Sequence, residues 1–144
     1  MAGISDLDEL LRKMKPTLNK EKYYIGSFDE GELMTLANYL DCIVCVYKEN
    51  KGLTTIFTED VLKDMKTLTK KIAGPFALIT LEVHSDLLAV GFMAKIASAL
   101  AKEEINCNAV SAYYHDHVFV QYKRKEDALA ALERLQNKKD QCCP

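Results

Sequence analysis

Apolar positions along the chain switch between helical and extended spacing. Leu7, Leu10, Leu11 and Met14 share a helical face behind a capping Ser5 or Asp6, and Pro16 and Asn19 end that segment. Residues 23–28 read as a strand, stopped by turn chemistry at Asp29 to Gly31. Leu33, Leu36, Ala37 and Leu40 return to helical spacing. Residues 42–47 and 53–57 form the arms of a hairpin across the polar stretch 48–52, and Thr58 caps a helix over 59–69. Gly74-Pro75 is the strongest punctuation and divides the chain into 1–73 and 74–144.

The second part is more regular. Residues 76–83 are a strongly apolar strand, and Ser85 can cap a helix over 86–103. A second strand covers 106–114, a turn falls at His115-Asp116 or Asp116-His117, and a third strand covers 118–122. A helix over 125–136 turns Ala128, Leu129, Leu132 and Leu135 inward. Strand, helix, strand, strand, helix is a ferredoxin-like split βαβ unit without its last strand. The first part also holds a hairpin bracketed by helices, so the halves read as diverged copies. The predicted class is α+β, two tandem units with antiparallel sheets and helices packed on one face. Each unit is short of one strand, and pairing of 23–28 beside 76–83 would supply the missing edge.

Composition narrows the function. The chain has 144 residues, 49% hydrophobic and 28% charged, an ordinary globular balance. A net charge of −2 lacks the basic surplus that neutralises phosphates, so no nucleic-acid partner is expected. No apolar run reaches membrane-spanning length and residues 1–10 lack a signal pattern, so no membrane partner and a cytoplasmic location are expected. Cys42 and Cys45 have C-x-x-C spacing but lie on a strand, where i and i+3 face opposite ways; they read as core residues. Cys142-Cys143-Pro144 carries no prenylation box.

Several motifs together resemble a family of small proteins built from two tandem ACT-like domains. These are Ile79-Thr80-Leu81-Glu82-Val83-His84-Ser85, then Ala89-Val90-Gly91, then Cys107-Asn108, then Tyr113-Tyr114-His115-Asp116-His117-Val118-Phe119-Val120. Asp6-Leu7-Asp8, Met14-Lys15-Pro16, Tyr47-Lys48-Glu49 and Gly52-Leu53-Thr54 resemble its first half more loosely. Lys51 stands where that pattern has an acid, and Asp86 and Leu88 where it has a serine and an acid. The resemblance implies a regulatory module that binds small molecules, often amino acids, at interfaces between copies.

Topology adds a site. In a split βαβ unit, the end of the first strand and the turn joining the second and third strands lie at one end of the sheet. All three histidines, His84, His115 and His117, belong to those two segments. A helix starting at Asp86 would offer free N–H groups to a carboxylate. The expected pocket binds an amino acid or small carboxylate. Ser85 and the amides of Asp86, Leu87 and Leu88 hold the carboxylate, Gly91 allows close approach, and Asp116 meets an ammonium group. Tyr113 and Tyr114 wall the pocket from opposite faces of their strand. No cofactor is expected. The alternative is a metal site on His84, His115 and His117, or an enzyme using it. No nucleophile elbow, phosphate loop or paired-carboxylate motif is present, so catalysis is not expected. Residues 87–101 are apolar almost all round except for Lys95 and Ser98, with Lys102 next in line. Such a helix packs on more than one side, against the companion half or, in a homodimer formed there or at sheet edges, against a second chain.

Overall fold

A computed structural model describes residues 3–137. The elements run α1 (Leu7–Lys13), β1 (Pro16–Leu18), β2 (Tyr23–Phe28), α2 (Leu33–Ala37), β3 (Ile43–Glu49), β4 (Gly52–Thr58), α3 (Leu62–Leu68), β5 (Ile72–Leu81), α4 (Phe92–Lys102), β6 (Asn108–Ser111), β7 (Asp116–Gln121) and α5 (Lys125–Asn137). They form two compact units, one of residues 21–76 and one combining the described residues of 1–20 with those of 77–144. Gly74-Pro75 lies inside β5 and does not interrupt it.

In the unit of residues 21–76 the strand order is β3-β4-β2-β5, with antiparallel partners throughout. Phe28, Leu53 and Phe57 meet Leu36 of α2 and Met65 of α3 in its core. The rings of Phe28 and Phe57 sit edge to face at 6.1 Å. Gly52 opens β4 at φ +142°, and a Cβ there would stand 2.5 Å from the Phe28 carbonyl oxygen, so this turn needs glycine. Cys42 lies in a short 3-10 turn and Cys45 in β3; both are half-buried free thiols. The tail with Cys142 and Cys143 lies outside the described residues.

In the other unit β7 lies between β5 and β6, and β1 pairs antiparallel with β5. The missing-edge expectation therefore needs correction. β2 does pair with β5, but over Ile72, Ala73 and Phe76. The edge beside Ile79, Thr80 and Leu81 is Pro16-Thr17-Leu18. Three residues are too few for periodicity to reveal, and Pro16 reads locally as a helix stop. Proline suits the first residue of such a strand, because it has no N–H to leave unpaired.

Asp6 caps α1 by accepting from the Glu9 amide at 2.8 Å. Leu10, Leu11 and Met14 of α1 join Ile79, Leu81, Ile96, Leu100, Val118 and Leu132 in one core. The all-round apolarity of α4 thus has a source within the unit: α1 and α5 both pack on it. Among the described residues no helix is long and apolar enough to cross a membrane.

Leu10 is fully buried although it belongs to the opening segment. Leu10→Ala is expected to cost about 2–5 kcal/mol, as core leucine truncations do. Urea unfolding of the full chain measures it, and a loss below about 0.5 kcal/mol would mean that α1 is not part of this core.

Candidate functional site

The end of β5 and the β6–β7 turn do meet, and a buried hydrogen bond joins them. Ser85 Oγ donates to Asp116 Oδ2 at 2.8 Å, with both residues buried. The Asp116 carboxylate is therefore engaged with Ser85 and is not displayed to an ammonium group. The Ser85 hydroxyl donates its proton inward, leaving none for a carboxylate. This pair braces the loop after β5 against the hairpin.

The helix start differs from the expectation. α4 begins at Phe92, and Gly91 is its N-cap at φ +92°. Residues 82–91 are irregular despite their apolar run, because other bonds hold them. Ile4 forms a parallel bridge with Ser85: its N–H donates to the His84 carbonyl at 2.7 Å and its carbonyl accepts from the Asp86 amide at 2.8 Å. Asp86 Oδ1 accepts from the Leu88 amide at 2.7 Å, and the Asp86 carbonyl accepts from Ala89 at 2.9 Å. Asp86 thus builds a turn of its own, as aspartate commonly does. Two of the three amides assigned to a ligand carboxylate are already taken, so no helix-terminal cradle exists at 86–88. Gly91 serves the entry into α4, in a conformation that a side chain rarely adopts. Leu87, Leu88 and Val90 are left exposed at 61%, 86% and 83%.

The hairpin turn also shifts. β6 ends at Ser111 and β7 starts at Asp116, which are register partners, and the Ala112 amide donates to the His115 carbonyl at 3.0 Å. Tyr113 and Tyr114 are therefore the turn tip, not opposite faces of a strand. Both are exposed, and their rings meet at 4.9 Å with planes 73° apart. The His84 ring lies 5.3 Å from Tyr114 and 6.4 Å from Tyr113, closing a cluster of three rings. Such centroid distances are those of favourable aromatic contacts.

The histidines divide between two surroundings. His84 faces the tyrosines, whereas His117 Nδ1 shares a 3.0 Å hydrogen bond with Thr80 Oγ1. Among the described residues no group of three or more His, Cys, Asp or Glu is placed to hold a metal ion, so the His84, His115 and His117 ligand set does not form. Burial lowers the His117 pKa below its ordinary 6.5; His115 pushes the same way and Asp116 opposes. Burial also pushes the Cys107 thiol up, away from reactivity.

Ile4 and Thr80 were not expected at this end. Ile4 acts through its backbone, which leaves no trace in a side-chain pattern. Gly3 carries a faint signal: a Cβ there would stand 2.7–2.8 Å from backbone atoms of His84, Ser85 and Asp86. Thr80 lies within an apolar strand, where threonine is common for its β-branch alone.

Two ferredoxin-like units with this connectivity define a class of small α+β domains. An ACT domain model matches residues 2–70 and another ACT domain model matches residues 75–134. A protein of unknown function from Vibrio cholerae, described as a possible transport protein, is 33% identical over 94% of this chain and 99% of its own, with a TM-score of 0.75. The chain belongs to the ACT-domain family and carries two ACT domains in tandem. ACT domains are regulatory modules that bind small ligands and are not themselves catalytic. Aspartokinase alpha and beta subunits are similar in fold, with a TM-score of 0.69 at 15% identity over 85% of this chain and 97% of theirs. The regulatory subunit of aspartate kinase from Thermus flavus has a TM-score of 0.63 at 13% identity over 83% of this chain and 95% of its own. No curated protein matches the chain at a significant level.

Two outcomes check the brace and the buried histidine. Ser85→Ala leaves the buried Asp116 carboxylate without this donor and is expected to cost about 1–3 kcal/mol in urea unfolding. A folded-state pKa below the unfolded value means that the unfolded chain binds this proton first as pH falls. The His117 contribution is complete above pH 6.5 and is lost as pH falls below it toward the folded value. Stability measured at about pH 7.5 and about pH 5 should differ less in His117→Gln than in the parent chain.

Proposed function

We propose that the chain is a non-catalytic regulatory module whose ligand is an amino acid, bound at the loop–hairpin end of the second ACT domain. The observation that carries this reading is the three-ring cluster of exposed Tyr113 and Tyr114 with half-buried His84, on a base braced by the buried Ser85–Asp116 bond. Exposed aromatic faces attract an ammonium group and cover the aliphatic part of a small ligand. The regulatory subunit of aspartate kinase, similar in fold, supports a regulatory role. Leu87, Leu88 and Gly91 border the site on the loop, and Ser85 with Asp116 hold its shape. Exposed Leu87, Leu88 and Val90 support closure of this end by a second copy.

A thermal-shift screen against the common amino acids tests the reading. A ligand at 100 times its dissociation constant stabilises by about 2.7 kcal/mol, a rise of several degrees for a domain of this size. Tyr113→Ala with Tyr114→Ala should abolish that rise while leaving the ligand-free transition nearly unchanged, because both side chains are exposed. A screen in which no amino acid raises the transition would overturn the amino-acid reading.

A further inference from the structure

α4 buries Phe92, Ile96 and Leu100, and its exposed side carries a polar stripe of Lys95, Ser98 and Lys102 beside the small Ala94 and Ala101. The stripe lines one wall of a groove of about 420 Å³, whose other wall is α5 with Ala131, Arg134 and Leu135. Ala99 and Ala131 are small, so the two helices leave depth between them where larger residues would close the seam.

The charge in this groove is one-sided. Its acid, Glu103, is already paired: Arg134 reaches the Glu103 carboxylate at 3.1 Å, and Arg124 donates to the Glu103 carbonyl at 3.1 Å. Lys95 and Lys102 have no ion pair among the described residues. Two positive charges therefore remain over an apolar floor, in a chain whose net charge is −2. Lys102 stands in the last turn of α4, where a cation complements the helix dipole by itself. Lys95 stands near the opposite end, where the dipole disfavours a cation, so helix stability does not account for it. Lys95 and Lys102 are one turn on either side of Ser98, and both can reach a group lying over its hydroxyl.

We propose that the α4–α5 groove is a second binding site, separate from the loop–hairpin end, for a small phosphomonoester with an apolar body. A phosphate dianion matches the two unpaired lysines in charge. Its oxygens accept from both ammonium groups and from Ser98, and the apolar body lies on Ala99, Ala131 and Leu135.

Phenyl phosphate is the probe, titrated into the full chain by calorimetry and by amide chemical-shift mapping. Saturable binding is expected, with shifts along α4 and α5, weakening as salt rises. Lys95→Gln with Lys102→Gln should reduce affinity at least tenfold, while Lys63→Gln, on an exposed stretch of α3, should leave it unchanged. All three substitutions are on exposed side chains and should leave the unfolding transition in place. Absence of saturable binding, equal binding by the double variant, or shifts confined to other elements would overturn the site. Binding to vesicles containing phosphatidic acid but not to phenyl phosphate would also overturn it, assigning the lysines to a membrane surface. An amino-acid screen that fails leaves this test untouched, because the two sites share no residue.

Discussion

Strand β5 carries a constraint on which both units depend. A strand inside a sheet must pair its N–H and C=O groups on both sides, because an unpaired buried backbone group costs as much as a lost hydrogen bond. β5 meets this demand with different partners along its length. Its first half pairs with β2, and its second half pairs with β1. Each ACT domain thereby gains the fourth strand that its own stretch of sequence lacks. The opening helix α1 follows from the same arrangement, since β1 delivers it to the core of the unit that holds α4 and α5.

At the end of β5 a second constraint takes over. A buried carboxylate needs a donor, and Ser85 supplies it to Asp116 across 31 residues of chain. The Ile4 bridge and the Asp86 turn then consume the backbone groups that a helix start would have left open. What remains for chemistry at this end is aromatic and apolar surface. Ring faces at Tyr113, Tyr114 and His84 favour ligands with a positive or aliphatic part, and there is no anion cradle to set against them. The basic groove along α4 has the reverse character, with unpaired cations over an alanine floor.

Most elements were legible in the sequence because their spacing is a local property. β2, β4 and α5 fall where alternation and helical periodicity put them, within a residue. The Asp6 cap follows from the same local chemistry. The meeting of His84 with the β6–β7 turn was also legible, since strand direction in a split βαβ unit forces it. The errors cluster where local pattern and tertiary contact compete. Leu87 to Val90 look helical, yet they sit in a loop pinned by Ile4 and closed by Gly91 at positive φ. Tyr113 and Tyr114 look like strand residues, yet they form the turn, because the register of Ser111 with Asp116 leaves them no partner.

By itself the sequence determined the class of the fold, the tandem organisation and the end of the sheet where the histidine motifs gather. Periodicity, capping and strand direction are short-range properties that side-chain order encodes directly. Only the tertiary structure decided which donor meets which acceptor. Ser85 with Asp116, Ile4 with His84 and Asp86, and His117 with Thr80 are pairings between segments far apart in the chain. Such pairings separated the histidines, removed the carboxylate cradle and left the tyrosine rings and apolar loop residues as the exposed surface at that end, because a buried polar group is satisfied by whatever the fold brings within reach.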